Sequence, residues 1–196
     1  ARATAEGTAT GPGPATADHA VRAEATGSSG DDISDDGDAW AEARGRVTFG
    51  ELSVLSEAAA RDFPRFGPGG VGAGGDATAI AHGRHEGNAG SLEVEALATI
   101  GTQGETPGSG TVEASGFATG EVDVEVTAQL QSAGPIALHD AVSGSTAGRL
   151  SLRQRALAGA TELGNDVHTS LTATNAGGGD LDVKPRSLAY AVAICW

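Results

Sequence analysis

The chain is poor in sulfur-containing and aromatic residues. Its 196 residues include no Met and one Cys, and aromatic residues make up only 4% of the total. A single Cys cannot form an internal disulfide, and no CxxC motif or Cys/His cluster indicates a zinc site. The core must therefore be built from Val, Leu, Ile and Ala. We interpret the missing initiator Met and the start at Ala1 as loss of a leader segment, which predicts a secreted or cell-surface protein.

Basic residues are also scarce. The chain has 12 Lys and Arg against 26 Asp and Glu, and its formal net charge is −14. This balance argues against a nucleic-acid partner, because phosphate-binding surfaces need clustered Lys and Arg. It also disfavours binding to anionic membranes. The longest apolar run, residues 188–196, has the length of a strand, so we expect no membrane insertion.

The most informative pattern is a signature that occurs twice, at residues 37–46 and 75–84. Both copies read Gly-Asp-Ala-x-Ala-x-Ala-x-Gly-Arg, and this two-residue period is typical of a β-strand. Further short strands follow at roughly ten-residue spacing, separated by turn residues. We therefore predict an all-β chain, folded as an antiparallel β-sandwich of the jelly-roll type. In residues 121–131 an acidic face alternates with a Val-rich one, as in a half-solvated antiparallel sheet.

The residue patterns at the two ends of the chain, residues 1–30 and 188–196, favour pairing with strands of another molecule. Residues 1–30 are weakly apolar and rich in Ala and Thr, so we predict an extended arm or an edge strand that one subunit donates to the next, followed by a β-sandwich domain over residues 31–196. Residues 188–196 are apolar on both faces and need a cover on both sides. The residues expected to carry assembly are Ala3, Ala5, Thr8, Ala20, Ala23, Ala25, Tyr190, Val192, Ile194 and Trp196.

The middle of the chain resembles secreted bacterial surface β-proteins of the PEP-CTERM or choice-of-anchor type. The similarity lies in an aromatic-Gly-x-Leu segment at residues 49–52, a glycine loop at 67–75, the alternating strand at 76–84, a Gly-Thr-x-Gly turn at 101–104 and Val-rich strands over 110–126. No Pro-Glu-Pro anchor motif is present. The resemblance implies an extracellular structural or matrix-associated protein without catalytic residues.

One acidic run is a candidate metal site. Asp32, Ser34 and Asp36, followed by Gly37 and Asp38, match the start of a calcium-binding loop, in which oxygen ligands alternate before a glycine turn. The remainder of the EF-hand pattern is absent, since Ala43 stands where a bidentate Glu is needed. Calcium bound in a different kind of loop and a solvated acidic turn are both open.

No set of nucleophile, base and orienting group emerges, so we do not expect an enzyme. The scattered His residues lie beside Asp as surface ion pairs do, and no Gly-x-Ser-x-Gly motif is present. We predict instead a non-enzymatic secreted structural subunit of an extracellular filament, biofilm matrix or surface layer, assembling with itself through β-strand complementation. The alternative is a carbohydrate-binding β-sandwich with a structural calcium, in which Phe63 and Phe66 would contact a polysaccharide.

Overall fold

The computed structural model describes residues 1–14, 16–28, 37–61, 74–101, 108–132, 134–159 and 166–189. These residues form strands joined by turns. The strands are β1 (Arg2–Ala9), β2 (Asp18–Ser28), β3 (Ala39–Val47), β4 (Gly50–Arg61), β5 (Ala77–His85), β6 (Gly90–Ile100), β7 (Gly110–Ala118), β8 (Asp123–Ser132), β9 (Ile136–His139), β10 (Val142–Ser145), β11 (Leu150–Ala158), β12 (Val167–Ser170) and β13 (Leu181–Ala189).

Consecutive strands along the chain lie mostly in different sheets. A five-stranded sheet has the order β1-β3-β5-β7-β10, a six-stranded sheet has the order β13-β11-β8-β6-β4-β2, and β12 pairs with β9 in a small third sheet. Every one of these ladders is parallel. The chain thus winds in coils that stack as a parallel β-solenoid. The first five coils add one strand to each main sheet, whereas the coil of β12 and β13 adds a strand to the six-stranded sheet only.

The prediction of an all-β chain is confirmed, but the predicted antiparallel β-sandwich or jelly roll is wrong. Polar and apolar residues alternate along any strand with one buried face, so alternation alone does not give strand direction. The turns after β3 and β5 lead across the core to the opposite sheet, and each strand pairs with the strand one coil away. The apolar face of a strand in one main sheet is therefore covered by the strand of the other main sheet in the same coil.

The duplicated signature marks two successive coils. Ala39 pairs with Ala77, Ala43 with Ala81, and Gly45 with Gly83. The backbone N–H of Asp76 donates to the side chain of Asp38, 38 residues earlier, over 2.8 Å. In-register stacking of identical side chains produces continuous rows of Ala and Gly, and each row presents one flat strip to the core.

The core is a single narrow layer between the two main sheets. Ala41, Ala43, Ala79 and Ala81 are fully buried in the five-stranded sheet, while Leu92, Val94 and Leu152 are among the largest buried side chains of the six-stranded sheet. Glycine is required where the sheets approach most closely. A Cβ on Gly83 would lie 2.5 Å from Cγ2 of Val94 and 2.7 Å from Cδ1 of Leu92. Leu and Val side chains of the six-stranded sheet thus pack directly against a row of glycines, namely Gly7, Gly45, Gly83, Gly116 and Gly144.

The third sheet is fastened to the core by one buried amide. Gln154 of β11 is fully buried. Its Oε1 accepts from the backbone N–H of Ala141 at 2.8 Å, and its Nε2 donates to the carbonyls of Leu138 at 2.8 Å and Ser170 at 3.0 Å. A polar side chain is stable at this depth because both ends of the amide have partners.

Candidate functional site

One residue of the predicted calcium site, Asp38, lies among the described residues. Asp32, Ser34 and Asp36 lie outside the described residues, whereas Asp38 is exposed at the start of β3. The Oδ1 of Asp38 accepts from Asp76 N–H at 2.8 Å, and the Oδ1 of Asp76 accepts from Ser109 N–H at 2.6 Å. Each of these two Asp side chains therefore joins its own coil to the next. Within the described ranges, no three His, Cys, Asp or Glu side chains are grouped so as to hold a metal ion.

The two His residues at the end of β5 point to opposite faces. His85 is fully buried, with Nε2 2.9 Å from the carbonyl oxygen of Gly50 and Nδ1 accepting from Gly87 N–H at 3.1 Å. His82 lies on the outer face, with Nδ1 2.7 Å from Oγ of Ser115. These two imidazoles do not converge on one ion, and His85 acts as a structural link between two turns.

The described residues contain two contacts between His and Ser, both of which come from the register of the ladders. His82 is the ladder neighbour of Ser115, and His139 is the ladder neighbour of Ser170, with 2.6 Å between Nδ1 and Oγ. A hydrolytic triad needs a third group that orients the imidazole. No side-chain carboxylate is hydrogen-bonded to either imidazole among the residues that the structure describes, so neither pair resembles a triad.

A shallow groove of about 320 Å³ lies on the outer face of the six-stranded sheet, where β6, β8 and β11 begin. Its charged lining residues are Glu93, Asp123, Glu125, Arg149 and Arg153. Arg153 forms an ion pair with Glu125, so part of the polar lining is already occupied by an internal contact. No aromatic side chain lines this groove, whereas sugar-binding platforms usually stack a sugar on one. Phe63 and Phe66, the aromatic residues of the carbohydrate hypothesis, lie outside the described residues.

The predicted N-terminal assembly residues lie in the first coil. Ala3, Ala5 and Thr8 are on β1, which pairs in parallel with β3, and Ala20, Ala23 and Ala25 are on β2, which pairs with β4. The side chains of Ala3 and Ala5 continue the rows of Ala41 and Ala43. Tyr190, Val192, Ile194 and Trp196 lie outside the described residues. Sequence reasoning thus found the small side chains of this coil but not the parallel stacking that explains them.

The two strands of the first coil, β1 and β2, form an edge whose outward backbone groups have no ladder partner among the described residues. We call this the N-terminal edge. The carbonyl of Ala1 accepts from Trp40 N–H, and that of Ala17 accepts from Glu51 N–H, so odd-numbered residues of both strands face their ladder partner. Backbone groups alternate in direction along a strand. The N–H and C=O of Thr4, Glu6 and Ala20 therefore point away from the described part of the solenoid.

The opposite end of the six-stranded sheet carries a proline. The carbonyl of Asp180 accepts from Leu150 N–H, so even-numbered residues of β13 face β11 and odd-numbered ones face outward. Pro185 falls on an outward position, where the missing N–H costs no ladder hydrogen bond. Proline at such a position is a common way to discourage strand addition. The described strands of the N-terminal edge contain no proline.

Neighbouring charges and burial shift the pKa of three carboxyl groups on the outer faces. A hydrogen bond from Arg46, with the nearby Arg84, holds the pKa of Glu86 below its usual value. A hydrogen bond from Lys184 lowers the pKa of Asp182 in the same way. Burial and then the neighbouring Glu93 raise the pKa of Glu95. Carboxylates are therefore crowded on β6, while they are matched by cations near β13.

Comparison with known proteins identifies no relative, because no protein-family model, no curated protein and no solved structure matches the chain. The described part of the chain contains no helix with the length and apolar character needed to cross a membrane.

Proposed function

We propose that the protein is a non-enzymatic, secreted structural subunit of an extracellular filament, matrix or surface layer, which assembles by strand addition at the N-terminal edge. The observation that carries this proposal is that the first coil keeps the pattern of the inner coils. Ala3, Ala5 and Gly7 stand in register with Ala41, Ala43 and Gly45. In the described solenoid, an outermost coil of this unmodified pattern presents a template for another coil, whereas a capping repeat has a polar outer surface.

The core is also incompletely covered at this edge. Ala3, Ala5, Ala9 and Val21 pack against the core but are only partly buried, whereas Ala41 and Ala43 one coil further in are fully buried. A further coil placed on β1 and β2 would remove this apolar surface from water. It would also pair the outward backbone groups of Thr4, Glu6 and Ala20. Hydrogen bonds would provide attraction, and the Ala and Gly rows would set the register.

The second copy would contribute the coil that contains its β13 in a head-to-tail joint. In that arrangement β13 of the added copy would lie beside β2, and Pro185 would leave one ladder bond unmade. Such a contact is heterologous, because it uses different surfaces of the two copies, and heterologous contacts that do not close generate open filaments. We therefore propose growth of a linear assembly along the solenoid axis.

Proline substitution at the N-terminal edge tests this proposal. Thr4→Pro combined with Ala20→Pro removes two outward N–H groups and leaves the bonds to β3 and β4 in place. We expect negative-stain electron microscopy to show filaments or sheets for the unmodified protein and single particles for this variant. The matched control, Thr4→Val with Ala20→Val, keeps both N–H groups and should assemble normally. Circular dichroism of all three proteins checks that the fold is retained.

Two results would overturn the proposal. The first is an unmodified protein that stays monodisperse at all concentrations and salt conditions. The second is a proline variant that folds and still assembles as the valine control does, because the joint would then not use the outward backbone groups of β1 and β2.

A further inference from the structure

One row of side chains on the outer face of the six-stranded sheet has a self-complementary charge order. The row crosses all six strands in ladder register and consists of Glu24, Glu57, Leu97, Gln129, Arg155 and Arg186. It reads acid, acid, neutral, neutral, base, base. When the order is reversed, each acid lies opposite a base and the two neutral residues lie opposite each other.

The charged members of this row are accessible. The side chains of Glu24 and Glu57 are 52% and 44% exposed, and both contact Arg22. Arg186 is exposed and Arg155 is half-buried. Among the ion pairs of the described residues, none includes Arg155 or Arg186. In the part of the chain that the structure describes, the basic end of the row therefore has no carboxylate at ion-pair distance.

We infer that this face binds a second copy of the chain, with the two solenoid axes antiparallel. A two-fold axis along the strand direction, between Leu97 and Gln129, places Glu24 against Arg186 and Glu57 against Arg155 of the second copy. An isologous contact of this kind forms each pair twice. A parallel arrangement would instead place acid on acid and base on base, so charge order selects the antiparallel one.

The next row toward the strand ends fits the same arrangement. It consists of Thr26, Ala59, Thr99, Gln131, Leu157 and Leu188, and none of these carries a charge. Reversal brings Ala59 opposite Leu157, a small side chain against a large one. On the other side of the charged row, Arg22 would meet Lys184 of the second copy, which brings two like charges together. The ion pairs of Arg22 with Glu24 and Glu57 would offset this repulsion.

The contact is confined to the later part of the strands. In the row four residues before the charged row on each strand, reversal would bring Glu93 against Glu125 of the second copy, two like charges. Sheets twist, so two facing sheets separate away from their line of contact. With strands about 4.8 Å apart and a rise of about 3.3 Å per residue, the contacting half covers roughly 400 Å² per copy. An interface of this size lies at the weak, transient end of the known range.

This lateral contact does not depend on addition at the N-terminal edge, because it uses a face and not an edge. Filaments would nevertheless strengthen it, since many weak contacts along two assemblies act together. The net charge of −14 opposes association, but charges further apart than about 8 Å are largely screened at physiological ionic strength. The pairs in direct contact therefore decide the outcome.

Charge reversal on each half of the row tests the inference. Glu24→Arg with Glu57→Arg makes the row basic at both ends, and Arg155→Glu with Arg186→Glu makes it acidic at both ends. All proteins carry Thr4→Pro and Ala20→Pro, so that lateral association is measured apart from addition at the edge. We expect sedimentation velocity at about 50 mM salt to show weak dimerisation of the parent, none of either variant alone, and restored dimers in their equimolar mixture. At about 500 mM salt the dimers should dissociate.

The control is Arg44→Glu with Arg84→Glu on the five-stranded sheet, which changes the net charge by the same amount as the Arg155 and Arg186 variant. It should dimerise with itself as the parent does. A mixture of the two reversed variants that sediments as monomers overturns the inference, as does a control that loses dimerisation equally. Neutral variants, Glu24→Gln with Glu57→Gln and Arg155→Gln with Arg186→Gln, cover the case of a reversed variant that fails to fold. Each should dimerise less than the parent.

Discussion

The two main sheets face each other across one core, yet they fill it in different ways. The inner face of the five-stranded sheet is made mostly of Ala and Gly, while the six-stranded sheet places Leu and Val in register opposite the glycine row. Because the five-stranded sheet contributes so little side-chain volume to the core, the two sheets lie close together. The difference shows that the glycines are half of a packing arrangement, because each leaves the space that a Leu or Val of the other sheet occupies.

Removing a large side chain from the six-stranded sheet should have the greatest effect. Leu92→Ala deletes a side chain that is only 1% exposed, and the stacked backbone has little freedom to close the cavity. We expect the free energy of unfolding to fall by about 3 kcal/mol in urea titrations. Leu97→Ala, on the same strand but facing outward, is the matched control and should cost less than about 1 kcal/mol. Equal losses for the two variants would show that the core is not tightly packed at Leu92.

Adding one carbon to the five-stranded sheet should have the next largest effect. Gly83→Ala places a Cβ 2.5 Å from Cγ2 of Val94, so we expect a loss of about 2 kcal/mol from overpacking. Val94→Ala removes the opposing methyl groups. If the two residues share one space, the double variant should be more stable than the sum of the single losses predicts, by about 1 kcal/mol in a double-mutant cycle. Additive losses would contradict direct packing between the sheets at this point.

The outer faces allow a smaller test, based on pH. Burial and Glu93 raise the pKa of Glu95, so the folded state disfavours its ionised form. This penalty is absent at pH values where Glu95 is protonated in both states, and it grows as the pH rises through the raised pKa. Glu95→Gln should therefore stabilise the protein at pH 7 by about 0.5 kcal/mol, and the gain should vanish in acid. The measurement is thermal unfolding as a function of pH.

The control for that experiment lies on the other sheet. Glu113→Gln makes the same chemical change on the outer face of β7, where Glu113 is exposed and has the apolar Ile80 as its ladder neighbour on β5. It should alter stability less than Glu95→Gln at neutral pH. A gain from Glu95→Gln that persists unchanged in acid would contradict an electrostatic origin.

The positions of most strands could be predicted from alternation alone. The strand pattern over residues 75–84 corresponds to β5 (Ala77–His85), and the one over 121–131 corresponds to β8 (Asp123–Ser132). The short strand β10 (Val142–Ser145) was not predicted, because Ser and Gly fill three of its four positions. Alternation reports burial of one face, and β10 has too few apolar residues to show it.

The candidate site was less accessible to prediction. The small residues of β1 and β2 indicated close packing, and the proposed role in assembly started there. The charge order of the row from Glu24 to Arg186 could not be seen, since its members lie on six different strands and become neighbours only through ladder register. The number of residues per coil varies, so no fixed sequence spacing identifies the residues that share this row.

The sequence by itself determined that the chain is all-β, which residues of strongly alternating strands such as β8 face the core, and that two segments repeat with a 38-residue separation. These properties depend on side-chain polarity and a two-residue period, both of which are local. Only the tertiary structure decided that the strands run parallel and that consecutive strands belong to different sheets. Strand direction depends on hydrogen bonds between residues a whole coil apart, and a local pattern carries no information about which distant strand will be the partner.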